Sequence, residues 1–325
     1  MAHSRISIAV DSGQLVLPEG QVLAFGIGAD DDLSALAKDS TTFVHPSFPD
    51  YTALQRRGYT VTTEPEGAFS VAIVSVPRAK PLAREWIAEA CRCASGGLVI
   101  VDGQKTDGVE SVLKEVKKRV PILGSMAKAH GRLFWFEAAD FSDWHHGAGT
   151  NSDGFQTMAG VFSADGIDPA SKLLADTLPA KVKGTVADLG AGWGYLASRV
   201  LEREAVTKVH LIEADKRALD CARSNITDVR AEFHWGDAPT HKLPDRVDCV
   251  VMNPPFHTDR KADPEIGKRF ILAAARLLKP SGQLLLVANR HLPYETILSD
   301  RFAQVQEGAG DGRFKTFVVS KPRRI

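Results

Sequence analysis

Asn253-Pro254-Pro255-Phe256 is the segment of this sequence best suited to chemistry on a planar amine. An Asn side-chain oxygen and a backbone carbonyl at Pro254 can both accept hydrogen bonds from one –NH2 group. The face of Phe256 can stack on the ring that carries it. Two consecutive prolines hold the chain in an extended turn, which fixes these acceptors. The same residues also fit a plain Pro-Pro turn with Phe256 in the core, and the segment alone does not decide. Upstream, Asp188-Leu189-Gly190-Ala191-Gly192-Trp193-Gly194 forms a glycine-rich turn that lets the backbone approach a ligand, ahead of helix N–H groups that suit an anion. Its spacing is G-x-G-x-G and not the G-x-G-x-x-G of dinucleotide binders, which argues against a nicotinamide oxidoreductase.

These groups need strands to position them. Val247 to Met252 is apolar and β-branched, reads as a buried strand, and ends at Asn253. Val186 to Leu189 runs into the glycine turn, followed by a helical pattern through Leu201. Lys208 to Ile212 ends in Glu213, placed to accept both ribose hydroxyls, and Ala231 to His234 precedes Trp235-Gly236-Asp237-Ala238, where Asp237 is placed to accept from an adenine amine. A surface acid and an ordinary Gly-Asp turn are the plainer alternatives. Ligands of α/β sheets bind at such carboxyl ends. The order strand–GxGxG, strand–Glu, strand–GD, strand–NPPF implies S-adenosylmethionine (SAM) binding and methyl transfer. The expected cofactor contacts are Asp188, Gly190, Ala191, Gly192, Glu213, Asp237, Ala238 and Asn253.

Within 325 residues there is room for two domains, and Lys+Arg balance Asp+Glu at 40 each. Residues 1–150 carry 15 Lys and Arg against 18 Asp and Glu, a balance of −3, and residues 151–325 carry 25 against 22, a balance of +3. Basic residues gather at Arg313 and Lys315, at Lys321, Arg323 and Arg324, and at Lys114, Lys117, Lys118 and Arg119. Such clusters can neutralise phosphates, though a solvated helix face accounts equally for the Lys114 group. No apolar run reaches the ~18 residues of a membrane span, the start is no secretory signal, and the expected setting is the cytoplasm. Cys91 and Cys93 sit too close for an easy bridge and make a poor zinc site, so buried free thiols and no metal are expected.

Internal repetition organises the rest. Ser281 to Asn289 echoes Ser95 to Asp102, each after a helical pattern (Phe270 to Lys279 and Ala83 to Ala94). Gly312 to Phe317 echoes Gly131 to Phe136, and Val186 to Gly192 echoes Val22 to Gly28. Val71 to Arg78 parallels the strand before Asn253. Two similar α/β domains in tandem explain these echoes, at 1–145 and 155–325, joined by a turn-rich linker from Asp140 to Gly154. The first copy has lost the chemistry: Asp30-Asp31-Asp32 stands where the second has Trp193-Gly194, and Val76-Pro77-Arg78 where the second has its Asn-Pro-Pro turn. At the entry to the second copy, Asp168 with Pro169 reads as a helix N-cap, and the loop before it can close over the cofactor.

Gly160-Val161-Phe162-Ser163, Asp188 to Gly192, Asn253 to His257, Val287-Ala288-Asn289 and Gly312 to Lys315 together resemble the RsmC/RlmG ribosomal RNA guanine-N2 methyltransferases. The likeness is close across the second half and loose across the first. It implies two tandem Rossmann-like class I methyltransferase domains, mostly parallel seven-stranded sheets flanked by helices, the first degenerate. It further implies ribosomal RNA or a ribosomal subunit as partner. Asn253, Pro254 and Phe256 would then act in catalysis, and Pro255, Phe256 and His257 at the substrate, with His257 open to a turn role instead. Leu292-Pro293-Tyr294 and Gly312 to Lys315 look like the small-subunit (16S) enzymes, while Asn289-Arg290-His291-Leu292 looks like the large-subunit (23S) ones. Other readings are methylation of an adenine N6 amine or a protein glutamine amide, or a non-catalytic RNA-binding assembly factor.

Overall fold

In this computed structural model, residues 4–255, 257–258, 261–262 and 264–323 are described. The chain divides into two compact units, residues 1–149 with 158–160, and residues 150–157 with 161–325. The first holds seven strands: β1 (Val22–Phe25), β2 (Thr41–Val44), β3 (Thr60–Thr62), β4 (Val71–Ser75), β5 (Leu98–Gln104), β6 (Gly124–Lys128) and β7 (Gly131–Glu137). The second repeats the set as β8 (Gly184–Leu189), β9 (Val206–Glu213), β10 (Ala231–Trp235), β11 (Val247–Met252), β12 (Leu278–Asn289), β13 (Phe302–Gly310) and β14 (Phe314–Pro322).

The strand orders are β3-β2-β1-β4-β5-β7-β6 and β10-β9-β8-β11-β12-β14-β13, one topology used twice. The first five strands of each unit run parallel, and the last two close the sheet antiparallel. Parallel strands covered on both faces read as continuous apolar runs. Val22–Phe25 is buried throughout, as are Val250 to Met252. The helix Lys80–Cys93 packs Ala83, Ile87, Ala90 and Cys91 into the first core, and Pro264–Leu277 packs Phe270, Ile271 and Ala274 into the second. All four cysteines are buried free thiols. Among the described residues no helix is long and apolar enough to cross a membrane.

The stretch read as a linker is only partly one. Phe141 and Trp144 are buried in the first core, with ring centroids 4.8 Å apart. Turn residues at Asp140 and beyond Gly147 hide this, because composition marks loops but not whether an aromatic inside one is buried.

In both sheets the order reverses between the first and fourth strands. At β8 and β11 this switch point carries the glycine turn on one side and Asn253 on the other.

Candidate active site

Asn253 directly follows β11, where Pro254 is buried and Pro255 is exposed. Its side-chain Nδ2 donates to Asp168 Oδ2 and to Ser171 Oγ, both at 2.9 Å. A carboxylate only accepts, so the amide nitrogen must face Asp168, and the amide oxygen is the group left to receive a proton donor. Asp168 is held in turn. It caps the helix Pro169–Asp176, accepting from the Ser171 backbone N–H at 2.8 Å. Its capping role, read from the sequence, is therefore joined by a second one, fixing Asn253 from 85 residues away.

The cleft around this group is lined by Phe162, Ser163, Asp168, Ser171, Gly190 to Trp193, Tyr195, Leu196 and Asn253. It is narrow, about 50 Å3, and so suits one end of an elongated ligand. Trp193 Nε1 donates to the Phe162 carbonyl at 3.0 Å, tying the loop before Asp168 to the glycine turn. Asn225, last residue of the helix Lys216–Asn225, clamps the same region, donating to the carbonyls of Gln156 and Trp193, each at 2.9 Å. Phe162 stands at the rim, 61% exposed.

The glycines of the turn have distinct jobs. Gly192 has φ +55° and nothing within 4 Å of where a Cβ would stand, so open space borders the backbone there. Gly194 lies against Ile226 Cδ1, which a Cβ would meet at 2.8 Å, and so serves helix packing. Ala191 is nearly buried, and its side chain is too small to intrude on the turn.

Asp188 is fully buried, and neither carboxylate oxygen has a hydrogen-bond partner. Burial, followed by the nearby charge of Glu213, pushes its pKa up to about 8. The Ala197 N–H exerts a small opposing pull without reaching hydrogen-bond geometry. A buried, unpaired acid is costly and marks a place where a cationic partner fits. Glu213 is different: it accepts the Gly192 N–H at 2.7 Å and the Asp215 N–H at 2.8 Å. Burial still raises its pKa, against the pull of those two amides. Its role thus begins with holding the glycine turn, and each oxygen keeps a lone pair for a hydroxyl.

Asp237 accepts from the Thr240 hydroxyl at 3.0 Å and its carbonyl accepts from the Thr240 and His241 N–H groups. It is a turn-former first, with Ala238 buried beside it. Phe256 lies outside the described residues. His257 opens a two-residue strand, His257–Thr258, that pairs with Lys261–Ala262.

Sequence reasoning missed Ser171 and Asn225. Ser171, three residues after the cap, carries only a capping signal; its contact with Asn253 arises from tertiary packing. Asn225 carries no local signal at all.

The family model of the methyltransferase small domain matches residues 153–318. The ribosomal RNA small subunit methyltransferase C of Pectobacterium atrosepticum is 32% identical over 239 residues, covering 70% of this chain and 68% of that protein. The protein of the same name from Salmonella choleraesuis is 31% identical over 231 residues, covering 69% of this chain and 67% of that one. Among solved structures, the T. thermophilus 16S rRNA N2 methyltransferase RsmC, in complex with AdoMet and guanosine, superposes with a TM-score of 0.80. It is 23% identical, over 95% of this chain and 90% of that one.

Proposed function

The chain belongs to the methyltransferase small domain family, with the small-subunit rRNA methyltransferase C proteins among its relatives, and on that premise we propose that its second unit methylates a guanine N2 amine of 16S ribosomal RNA using SAM. Bound SAM supplies an electrophilic methyl group on a sulfonium centre. The residues fit such a group: an unpartnered buried acid at Asp188 for its ammonium, and open space beside Gly192 for its bulk. Glu213 would take the ribose hydroxyls, and Asp237, beside Ala238, the adenine amine. Asn253 closes the cofactor site on the β11 side.

At the acceptor, the guanine N2 lone pair is delocalised into the ring and nucleophilicity is low. The Asn253 amide oxygen and the Pro254 carbonyl accept its two hydrogens and turn the lone pair out of the ring plane. The same acceptors stabilise the positive charge that develops on the amine, which is differential transition-state binding. The methylated amine is acidic enough to lose its proton without a strong base. Phe256 stacks on the flipped base, worth roughly 1–3 kcal/mol, beside Pro255 and His257. Flipping costs a few kcal/mol, so phosphate contacts must supply the remainder.

The observation that carries this reading is the orientation of Asn253 by Asp168 and Ser171 at the switch point of the sheet. Incubation with tritiated SAM and small ribosomal subunits or free 16S rRNA, then nucleoside mass spectrometry, tests it. N2-methylguanosine in the 16S fraction is the expected product. Label in N6-methyladenosine, in 23S rRNA or in a protein glutamine would replace the proposed acceptor, and no transfer to any of them would leave a binding protein.

A further inference from the structure

We propose that His210, Glu232 and His234 form a binding site for a first-row divalent metal ion, Zn2+ or Co2+, at the edge of the second sheet. The three come from neighbouring parallel strands, β9 and β10, with His210 paired to Glu232 and Ile212 to His234. Side chains two residues apart on a strand share a face, so the register alone brings both imidazoles and the carboxylate together. His210 Nδ1 is 3.0 Å from His234 Nε2 and 3.2 Å from Glu232 Oε2. One ligand atom from each residue lies within 4.8 Å of the others.

The separations from His210 to His234 and from His210 to Glu232 are those of neighbouring ligands on one ion. With Zn–N and Zn–O bonds of about 2.0–2.2 Å, donors at tetrahedral to right angles stand roughly 3.0–3.4 Å apart. Two imidazole nitrogens facing each other otherwise need a proton between them, and an ion replaces it while engaging both lone pairs. Glu232 contributes the negative charge, and Lys208 Nζ at 2.5 Å from Oε1 orients it. The His241 ring stands 5.1 Å from that of His234, a further imidazole beside the cluster. Two nitrogens and one carboxylate favour Zn2+, Co2+ or Ni2+ over Mg2+ or Ca2+.

The ion would tie an edge strand to its neighbour close to the proposed cofactor site. β9 ends in Glu213, and β10 leads into the turn of Asp237. No sequence motif announces the cluster, because Glu232 and His234 meet His210 only through strand register.

The test uses the full chain, stripped of metal by chelation and titrated with Co2+ and then Zn2+. One equivalent of Co2+ should give the visible d–d absorption of a low-coordinate nitrogen–oxygen site, Zn2+ should bleach it, and Zn2+ should raise the Tm. His234→Ala and Glu232→Gln should each lose the absorption and the Tm rise, while His291→Ala keeps both. Glu232 is 43% exposed at its side chain, so its variant serves if His234→Ala does not fold. No Co2+ absorption in the wild-type chain, or equal absorption in Glu232→Gln, overturns the proposal.

Discussion

The two glycine turns of this molecule share a backbone and differ in what they do with their polar groups. Phe25 pairs with Val44 and Val74 just as Leu189 pairs with Ile212 and Met252, so the two sheets can be read position against position. Ala24 then stands for Asp188, His45 for Glu213, and Ser75 for Asn253. Gly26 and Gly190 keep the left-handed backbone, φ +66° and +75°. In the first unit the Gly28 N–H donates to Asp31 at 2.8 Å and the Ala29 N–H to Asp50 at 3.2 Å, while Arg57 binds the Ala29 carbonyl. The Trp86 ring packs where a Cβ on Gly26 would stand. The acids Asp30 to Asp32 thus do more than repel an anionic ligand. Asp31 and Asp50 take up the Gly28 and Ala29 N–H groups, whereas in the second unit Glu213 takes up the Gly192 N–H. In the second unit Asp188, at the position Ala24 holds in the first, is left buried and unpaired. A fold keeps its turn for packing reasons; it keeps an unsatisfied group only where something else will satisfy it.

The contrast can be broken at its most sensitive point by Asn253→Ala. By analogy with removal of one oxyanion-hole donor, turnover should fall on the order of 10²–10³-fold with SAM affinity nearly unchanged. Ser75→Ala, at the matching position of the first unit, should change neither. Single-turnover methylation with calorimetric SAM titration reads both, and wild-type turnover in a folded Asn253→Ala protein would contradict the amine-orienting role.

Asp188→Asn should weaken SAM binding by roughly 10- to 100-fold at pH 8, the loss of one hydrogen bond to a charged group. It should also stabilise the free protein. The folded-state pKa of about 8 stands above the unfolded value, so the folded chain holds the extra proton between them and stability falls as pH rises through that window. The gain from Asn should therefore grow from about pH 4 toward pH 8 and then level off, each kcal/mol appearing as roughly 2–4 °C in Tm. Wild-type affinity for SAM should decline as pH drops below about 8, where the acid must give up its proton to bind a cation. A flat profile, or a variant no more stable than wild type at pH 8, would mean that Asp188 already has a partner.

Asp168→Asn is the finer probe. Asn caps helices about as well as Asp, so the fold should hold while the charge-assisted contact with Asn253 is lost. A several-fold drop in kcat with KM for SAM unchanged is expected, and a Tm loss with kcat intact would reduce Asp168 to its cap.

Much of this was legible in the sequence because parallel strands write themselves as uninterrupted apolar runs and stop at glycine or proline. β8 and β11, and the residues at their ends, follow from that pattern. The Pro169–Asp176 helix follows from its cap. Legibility failed where contact depends on tertiary packing. Asp168 meets Asn253, and His210 meets His234, through the sheet and not through spacing. The linker was overdrawn for the same reason, since only packing reveals Phe141 and Trp144 as core.

The most direct test of the difference between the two turns is the stoichiometry of SAM on the full chain, measured by calorimetry. One equivalent is expected, abolished by Gly192→Arg, where a side chain would fill the open space at that turn, and untouched by Gly28→Arg. Two equivalents, or loss of binding through Gly28→Arg, would contradict a first unit whose turn is satisfied from within.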